Sequence, residues 1–142
     1  MNFLFVYGSL KRGFANEHVN TGLRVQGQYR TRNCYRLYLL GLGEVPCVVV
    51  PPGFGCQVIG ELYRVTADDL QRMDLLERVG EAEGYERVTL DLERFDRDPL
   101  ATLSAFAYVR HESTIAATAP RIGPLDEYRR EHAARFHWKG AV

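Results

Sequence analysis

Lysine is all but missing from this chain: of its 18 lysines and arginines, only Lys11 and Lys139 are lysines. Such a bias reflects genome composition or thermal adaptation and points to no particular chemistry. An excess of either charge is missing too, since 18 basic residues face 18 acidic ones and the formal net charge is zero. The whole-chain field therefore gives no reason to expect nucleic acid or an anionic membrane as partner, and a small solute is the better expectation. Cysteine is scarce. Cys34, Cys47 and Cys56 are odd in number and show no C-x-x-C spacing, so neither a zinc site nor a disulfide framework is indicated and reduced thiols are expected. No segment approaches the roughly 20 consecutive apolar residues of a membrane span. The opening Met1 to Tyr7 has no basic leader and too short an apolar run for a signal core, so a soluble cytoplasmic protein is expected.

Internal repeats and low-complexity linkers are absent as well, and 142 residues at 46% hydrophobic suffice for one core; one domain over residues 1–142 is the reading. What the chain does have is a succession of β patterns. Phe3-Leu4-Phe5-Val6-Tyr7-Gly8-Ser9-Leu10 is an apolar run that breaks into a glycine turn, a buried strand delivering backbone N–H groups, a tyrosine and a hydroxyl to one point. Lys11 to Gly22 is polar, with room for a short helix around Asn16 to Thr21. From Leu23 to Val50 the pattern is β, with Tyr35–Leu40 and Val45–Val50 as its clearest strands and turns at Gly41, Gly43 and the Pro51–Gly55 cluster. Val58–Val65 reads as a strand. Thr66 then reads as a helix N-cap, with Asp69 completing a capping-box variant, and predicts a helix over Ala67 to Arg78. Strands over Tyr85–Leu92 and Leu103–Val109 and an amphipathic helix over Leu125 to Phe136 complete the pattern. Many strands and few helices around one core predict an α+β fold built on a small mixed β-barrel, closed or strongly curled, with flanking helices.

One residue argues for chemistry. On a wheel of 3.6 residues per turn, Leu70, Met73 and Leu76 define the apolar stripe of the Ala67–Arg78 helix, and Glu77 falls inside that stripe. A carboxylate turned inward must find hydrogen bonds, raise its pKa, or line a cavity. The alternative is that the helix ends near Arg78 and Glu77 reaches water from the last turn. Asp74, at the stripe's edge, is a structural partner or a rival candidate.

Four blocks in order, Tyr7-Gly8-Ser9-Leu10-Lys11-Arg12-Gly13 with Asn16 and His18 following, Val58–Tyr63, Met73–Glu77 with Tyr85-Glu86-Arg87, and Ala105–Tyr108, together resemble the γ-glutamylcyclotransferase-like superfamily, in its γ-glutamylamine cyclotransferase and AIG2-like branch. The resemblance covers roughly Phe3 to Arg110. It implies an enzyme in which the α-amine of a γ-glutamyl group attacks its own side-chain carbonyl, releasing 5-oxoproline and an amine or amino acid. It implies Glu77 as the catalytic residue. It further implies substrate binding by Tyr7, Gly8, Ser9, Leu10, the backbone around Val45 and Pro46, and Tyr108. No cofactor or metal is expected; His132 and His137, five apart, are poorly placed for one helical face. The loop Arg78–Gly84 lacks the proline that family members often carry there and is slightly longer; since it would border the pocket, the resemblance leaves the leaving group open.

Rival readings are a non-catalytic module that captures a small carboxylate ligand on the same fold, and a cysteine hydrolase built on Cys47, which would need a histidine beside it. A third is an RNA surface formed by Arg24, Arg30, Arg32 and Arg36 with Tyr29, Tyr35 and Tyr38, residues that strand alternation divides between two faces.

Overall fold

The computed structural model describes residues 2–41 and 45–134. Seven strands form one sheet: β1 (Asn2–Val6), β2 (Leu23–Leu40), β3 (Val45–Val50), β4 (Cys56–Val65), β5 (Glu86–Arg94), β6 (Ala101–His111) and β7 (Arg121–Leu125). Five of them close a ring. β1 pairs antiparallel with β4, β4 with β2 and β2 with β3, while β3 and β1 each lie parallel to β6. The expected small mixed barrel is therefore observed, with β5 laid between β6 and β2 and β7 added to β2. Closure removes most exposed edges.

The long strand β2 serves both halves of the ring because its register against β4 slips twice, between Val25 and Tyr29 and between Arg30 and Cys34. Such bulges bend a strand and increase its twist. Its first half pairs with β4 and β5, its second with β3 and β7. Leu4, Leu37, Val48, Val58, Leu62, Met73, Leu92 and Ala107 are fully buried at the centre. Gly60 is required where β4 crosses β1, because a Cβ there would collide with the Val6 carbonyl and the Phe5 ring.

The helix α1 (Ala67–Leu76) starts as expected. The Asp69 N–H donates to Thr66 Oγ1 at 3.1 Å and the Thr66 N–H to Asp69 Oδ2 at 2.8 Å, a reciprocal capping box. Its end comes two residues sooner than the periodicity predicts. Glu77 is the C-cap, the Arg78 N–H donates to the Leu75 carbonyl and the Val79 N–H to the Asp74 carbonyl, and Arg78 takes the left-handed conformation at φ 56°. These are the bonds of a Schellman stop, with arginine where glycine is usual.

Two other expectations change. The polar segment after β1 holds only a 3-10 turn, Glu17–Val19. The amphipathic helix expected over Leu125 to Phe136 is corrected: Leu125 closes β7, whose Leu125, Ile122 and Arg121 pair with Leu37, Leu39 and Leu40, and the helix α2 covers only Arg130–Ala133. Tyr128, between them, is buried, and its carbonyl accepts from Lys11 Nζ at 2.5 Å, which anchors the chain before a helix can begin. The turn placed at Gly43, together with Arg135, Phe136, His137 and Lys139, lies outside the described residues.

Candidate active site

Glu77 leaves the last turn of α1 pointing inward. It is fully buried, and neither carboxyl oxygen has a hydrogen-bond partner among the described residues. The alternative that it escapes to water from the helix end is excluded. Burial raises its pKa well above the usual carboxylate value, because the anion loses its hydration there. The backbone fixes its position on both sides. Its N–H donates to the Met73 carbonyl at 2.9 Å, and its carbonyl accepts from the Tyr85 N–H at 2.9 Å, closing the loop Arg78–Gly84 into a short return. Gly84 permits that return, since a Cβ there would strike the Arg78 carbonyl.

Four side chains from four segments lie within electrostatic reach of the Glu77 carboxyl: Tyr7 after β1, Cys47 on β3, Tyr85 before β5 and Tyr108 on β6. All four are buried. Tyr7 performs a structural task at this point. The direct β3–β6 pairing covers only Val49 with Arg110 and Val50 with His111. One step further along, the Tyr7 hydroxyl accepts from the Val48 N–H at 3.0 Å and donates to the Tyr108 carbonyl at 2.7 Å. A phenol thus stands between two strands where a backbone bond would otherwise run. Tyr85 deals with the next group along β3 by donating its hydroxyl to the Pro46 carbonyl at 2.7 Å. Tyr108 donates to Asp74 Oδ1 at 2.7 Å, and Arg87 Nη1 holds the same carboxylate at 3.0 and 3.2 Å. Burial, then the Asp74 carboxylate, push the Tyr108 hydroxyl upward, so it remains a donor.

The turn after Tyr7 is held just as firmly. The Lys11 N–H donates to the Gly8 carbonyl at 3.0 Å, buried Asn16 donates through its amide to Ser9 Oγ at 2.9 Å and through its N–H to the Ser9 carbonyl at 2.8 Å, and Asn20 reaches the Leu10 carbonyl at 3.2 Å. The fold therefore gathers Glu77, Tyr7, Tyr108 and the β3 backbone at Pro46, with Gly8, Ser9 and Leu10 continuing directly from Tyr7. Val45 pairs with Leu40 at the start of β3. Sequence reasoning missed Tyr85 as a member of the cluster, although the Tyr85-Glu86-Arg87 block was visible, and left Asp74 undecided; the structure makes Asp74 the acceptor of Tyr108. Cys47 is buried and its thiol is pushed up to about 12, first by burial, which keeps it protonated at neutral pH and argues against a nucleophile. A separate cavity of about 370 Å³, lined by Lys11, Arg24, Glu61, Phe95 and Glu127 among others, does not include Glu77; the buried, unpartnered carboxyl is the stronger chemical signal. Among the described residues, no cluster of three or more metal-ligating side chains occurs and no helix is long and apolar enough to cross a membrane.

A small mixed barrel with a carboxyl group buried at a helix end and unpartnered among the described residues has the surroundings from which acid–base sites are built. Comparison with known proteins gives this arrangement its family. The chain belongs to the family described as gamma-glutamyl cyclotransferase, AIG2-like, whose model matches residues 4–133. It is 34% identical over 98 residues to gamma-glutamylaminecyclotransferase C of Danio rerio, covering 63% of this chain and 61% of that protein. It is 32% identical over 132 residues to the gamma-glutamylaminecyclotransferase of Mus musculus, covering 84% and 82%. The crystal structure of an aig2-like protein from Mus musculus superposes with a TM-score of 0.78 at 27% identity, covering 97% of this chain and 95% of that one. The chain spans about three fifths of the length of several of the curated relatives it matches.

Proposed function

We propose that this protein is a γ-glutamyl cyclotransferase that releases 5-oxoproline and a free amine or amino acid from a γ-glutamyl substrate. The observation that carries the reading is the Glu77 carboxyl, fully buried and without a hydrogen-bond partner among the described residues. The reaction balances without a cofactor. The α-nitrogen forms a bond to the γ-carbonyl carbon, the bond from that carbon to the departing nitrogen breaks, and protons move from the first nitrogen to the second. A substrate held with its amine over its own carbonyl gains about 7–11 kcal/mol from orientation when the geometry is good.

Glu77 is the shuttle: as carboxylate it takes a proton from the α-ammonium, and as carboxylic acid it returns one to the leaving nitrogen. A carboxyl raised by burial is suited to both halves of that task. In this reading the N–H groups of Gly8, Ser9 and Leu10 receive the substrate carboxylate and the developing oxyanion. Tyr7, Tyr108, Val45 and Pro46 shape the wall. Relatives named as cyclotransferases support the assignment. The test is direct: incubation with γ-glutamyl amines and γ-glutamyl dipeptides should yield 5-oxoproline, and Glu77→Gln should lower kcat by roughly 10²–10⁴-fold. Equal turnover by the variant would remove Glu77 from the mechanism. A γ-glutamyl ligand bound stoichiometrically and recovered intact would make the protein a binding module.

A further inference from the structure

The cavity of about 370 Å³ whose lining does not include Glu77 lies at the first irregularity of β2. Between the pairs Val25 with Leu62 and Tyr29 with Gly60, three residues of β2, 26–28, face the single residue Glu61 of β4. Gly27 takes φ 126° there, and the Gln28 carbonyl accepts from the Phe95 N–H, just beyond β5, at 2.9 Å. Such a bulge interrupts the ladder and leaves a hollow between the strands. A further wall comes from residues 126–128, held in place where the Ile59 N–H donates to the Asp126 carbonyl at 2.8 Å. Glu61 is fixed within this frame. Its Oε1 accepts from the Arg12 N–H at 2.8 Å and from the Tyr63 hydroxyl at 2.9 Å, and Arg24 Nη1 lies 3.4 Å from its Oε2. The charges of Glu61 and Arg24 therefore balance each other.

Two other charges of the lining lack such a match. Lys11 is only 5% exposed; its Nζ donates to the Tyr128 carbonyl at 2.5 Å and lies 4.5 Å over the Phe14 ring, and no ion pair among the described residues includes it. Burial, the largest influence, lowers its pKa, as expected of an ammonium held out of water. Glu127 precedes Tyr128, so its side chain leaves the backbone one residue from the Lys11 contact. Its ion pair among the described residues is with Arg129 at 3.8 Å, and Asp126 holds that arginine more closely, at 3.2 Å. A cation and an anion thus line one hollow without an ion pair between them, and Phe95 and Ile59 add an apolar wall.

We propose that this cavity binds a free amino acid with an apolar side chain: the ligand carboxylate meets the Lys11 ammonium, its α-ammonium meets Glu127, and its side chain lies against Phe95 and Ile59. A carboxylate brought to buried Lys11 supplies a counterion that the fold itself does not, through a charge-assisted hydrogen bond. A volume of about 370 Å³ is at the lower end for small-molecule pockets, which suits a ligand of this size. The proposal does not depend on the cyclotransferase reading.

Because Lys11 and Lys139 are the only lysines, protein labelled at the lysine ε-carbon gives two resonances to follow by NMR, told apart by the loss of one in Lys139→Arg. L-phenylalanine should shift the Lys11 resonance with a Kd of about 1 mM or below. 3-Phenylpropanoate, which lacks the ammonium, and 2-phenylethylamine, which lacks the carboxylate, should each bind about tenfold more weakly or worse. Glu127→Gln should weaken L-phenylalanine by about the same factor and leave 3-phenylpropanoate unchanged, because only the amino acid uses Glu127. Lys11→Met should abolish binding of both. Should that variant not fold, reductive methylation of the parent serves instead, with L-phenylalanine slowing modification of Lys11. A Lys11 resonance unmoved by L-phenylalanine would overturn the proposal. So would equal binding of L-phenylalanine and either analogue, or a Glu127→Gln variant that binds L-phenylalanine as the parent does.

Discussion

Replacing Glu77 by glutamine should alter how stability depends on pH as well as activity. Glutamine keeps the volume and polarity of the buried position but cannot ionise. Its own lack of partners appears as a constant offset between variant and parent, leaving the pH dependence to report the carboxyl. In the unfolded chain that group titrates near its ordinary value of 4.5, whereas burial raises it in the folded protein. Between those two values the folded state holds a proton that the unfolded state has lost, so parental stability falls as pH rises. The contribution is present in full below about pH 4.5 and is lost as pH climbs through the folded-state value, at about 1.4 kcal/mol per pH unit within that window. For a chain of this length, such a slope corresponds to roughly 3–6 °C in Tm per pH unit. The assay is urea or thermal unfolding of both proteins from pH 4 to 9, taking the difference at each pH so that every other titrating group cancels. Glutamine should gain on the parent steadily from about pH 4.5 and then level off above the folded-state pKa. A difference that stays flat throughout would mean that the carboxyl is hydrated or paired, and the reasoning from burial would fail.

Two other outcomes follow from the same cluster. Tyr7→Phe leaves the Val48 N–H and the Tyr108 carbonyl without their shared partner, so it should cost about 2–5 kcal/mol and speed amide exchange at Val48; unchanged protection there would show that β3 and β6 do not depend on the phenol. Under a thiol reagent at pH 8, the exposed Cys34 should label at once and the partly exposed Cys56 more slowly, while Cys47, buried and pushed up to about 12, should label only on unfolding. Peptide mapping that found Cys47 labelled as quickly as Cys34 would contradict its place in the core.

Most of what positions Glu77 was legible before any coordinates, because it rests on local rules. The capping box at Thr66 and Asp69 sets the start of α1, and the spacing of Leu70 and Met73 then determines which face turns inward. Even the early stop at Leu76 leaves Glu77 on that face. The C-terminal part was misread because Leu125, Tyr128 and His132 share a helical spacing, while Gly123 and Pro124 carry weak strand propensity. β7 exists because β2 offers it a free edge, a fact held in residues some eighty positions away.

The same limit applies more strongly inside the site. Periodicity can show that a carboxylate points inward, but whether it is neutralised there depends on the donors that other elements bring. Tyr7, Tyr85 and Tyr108 all carry hydroxyls to the neighbourhood of Glu77, and from composition alone such a neighbourhood would be expected to hold a well-solvated anion. Each hydroxyl is instead claimed by the Tyr108 carbonyl, the Pro46 carbonyl or Asp74. The chemical character of Glu77 therefore follows from bonds made among its neighbours.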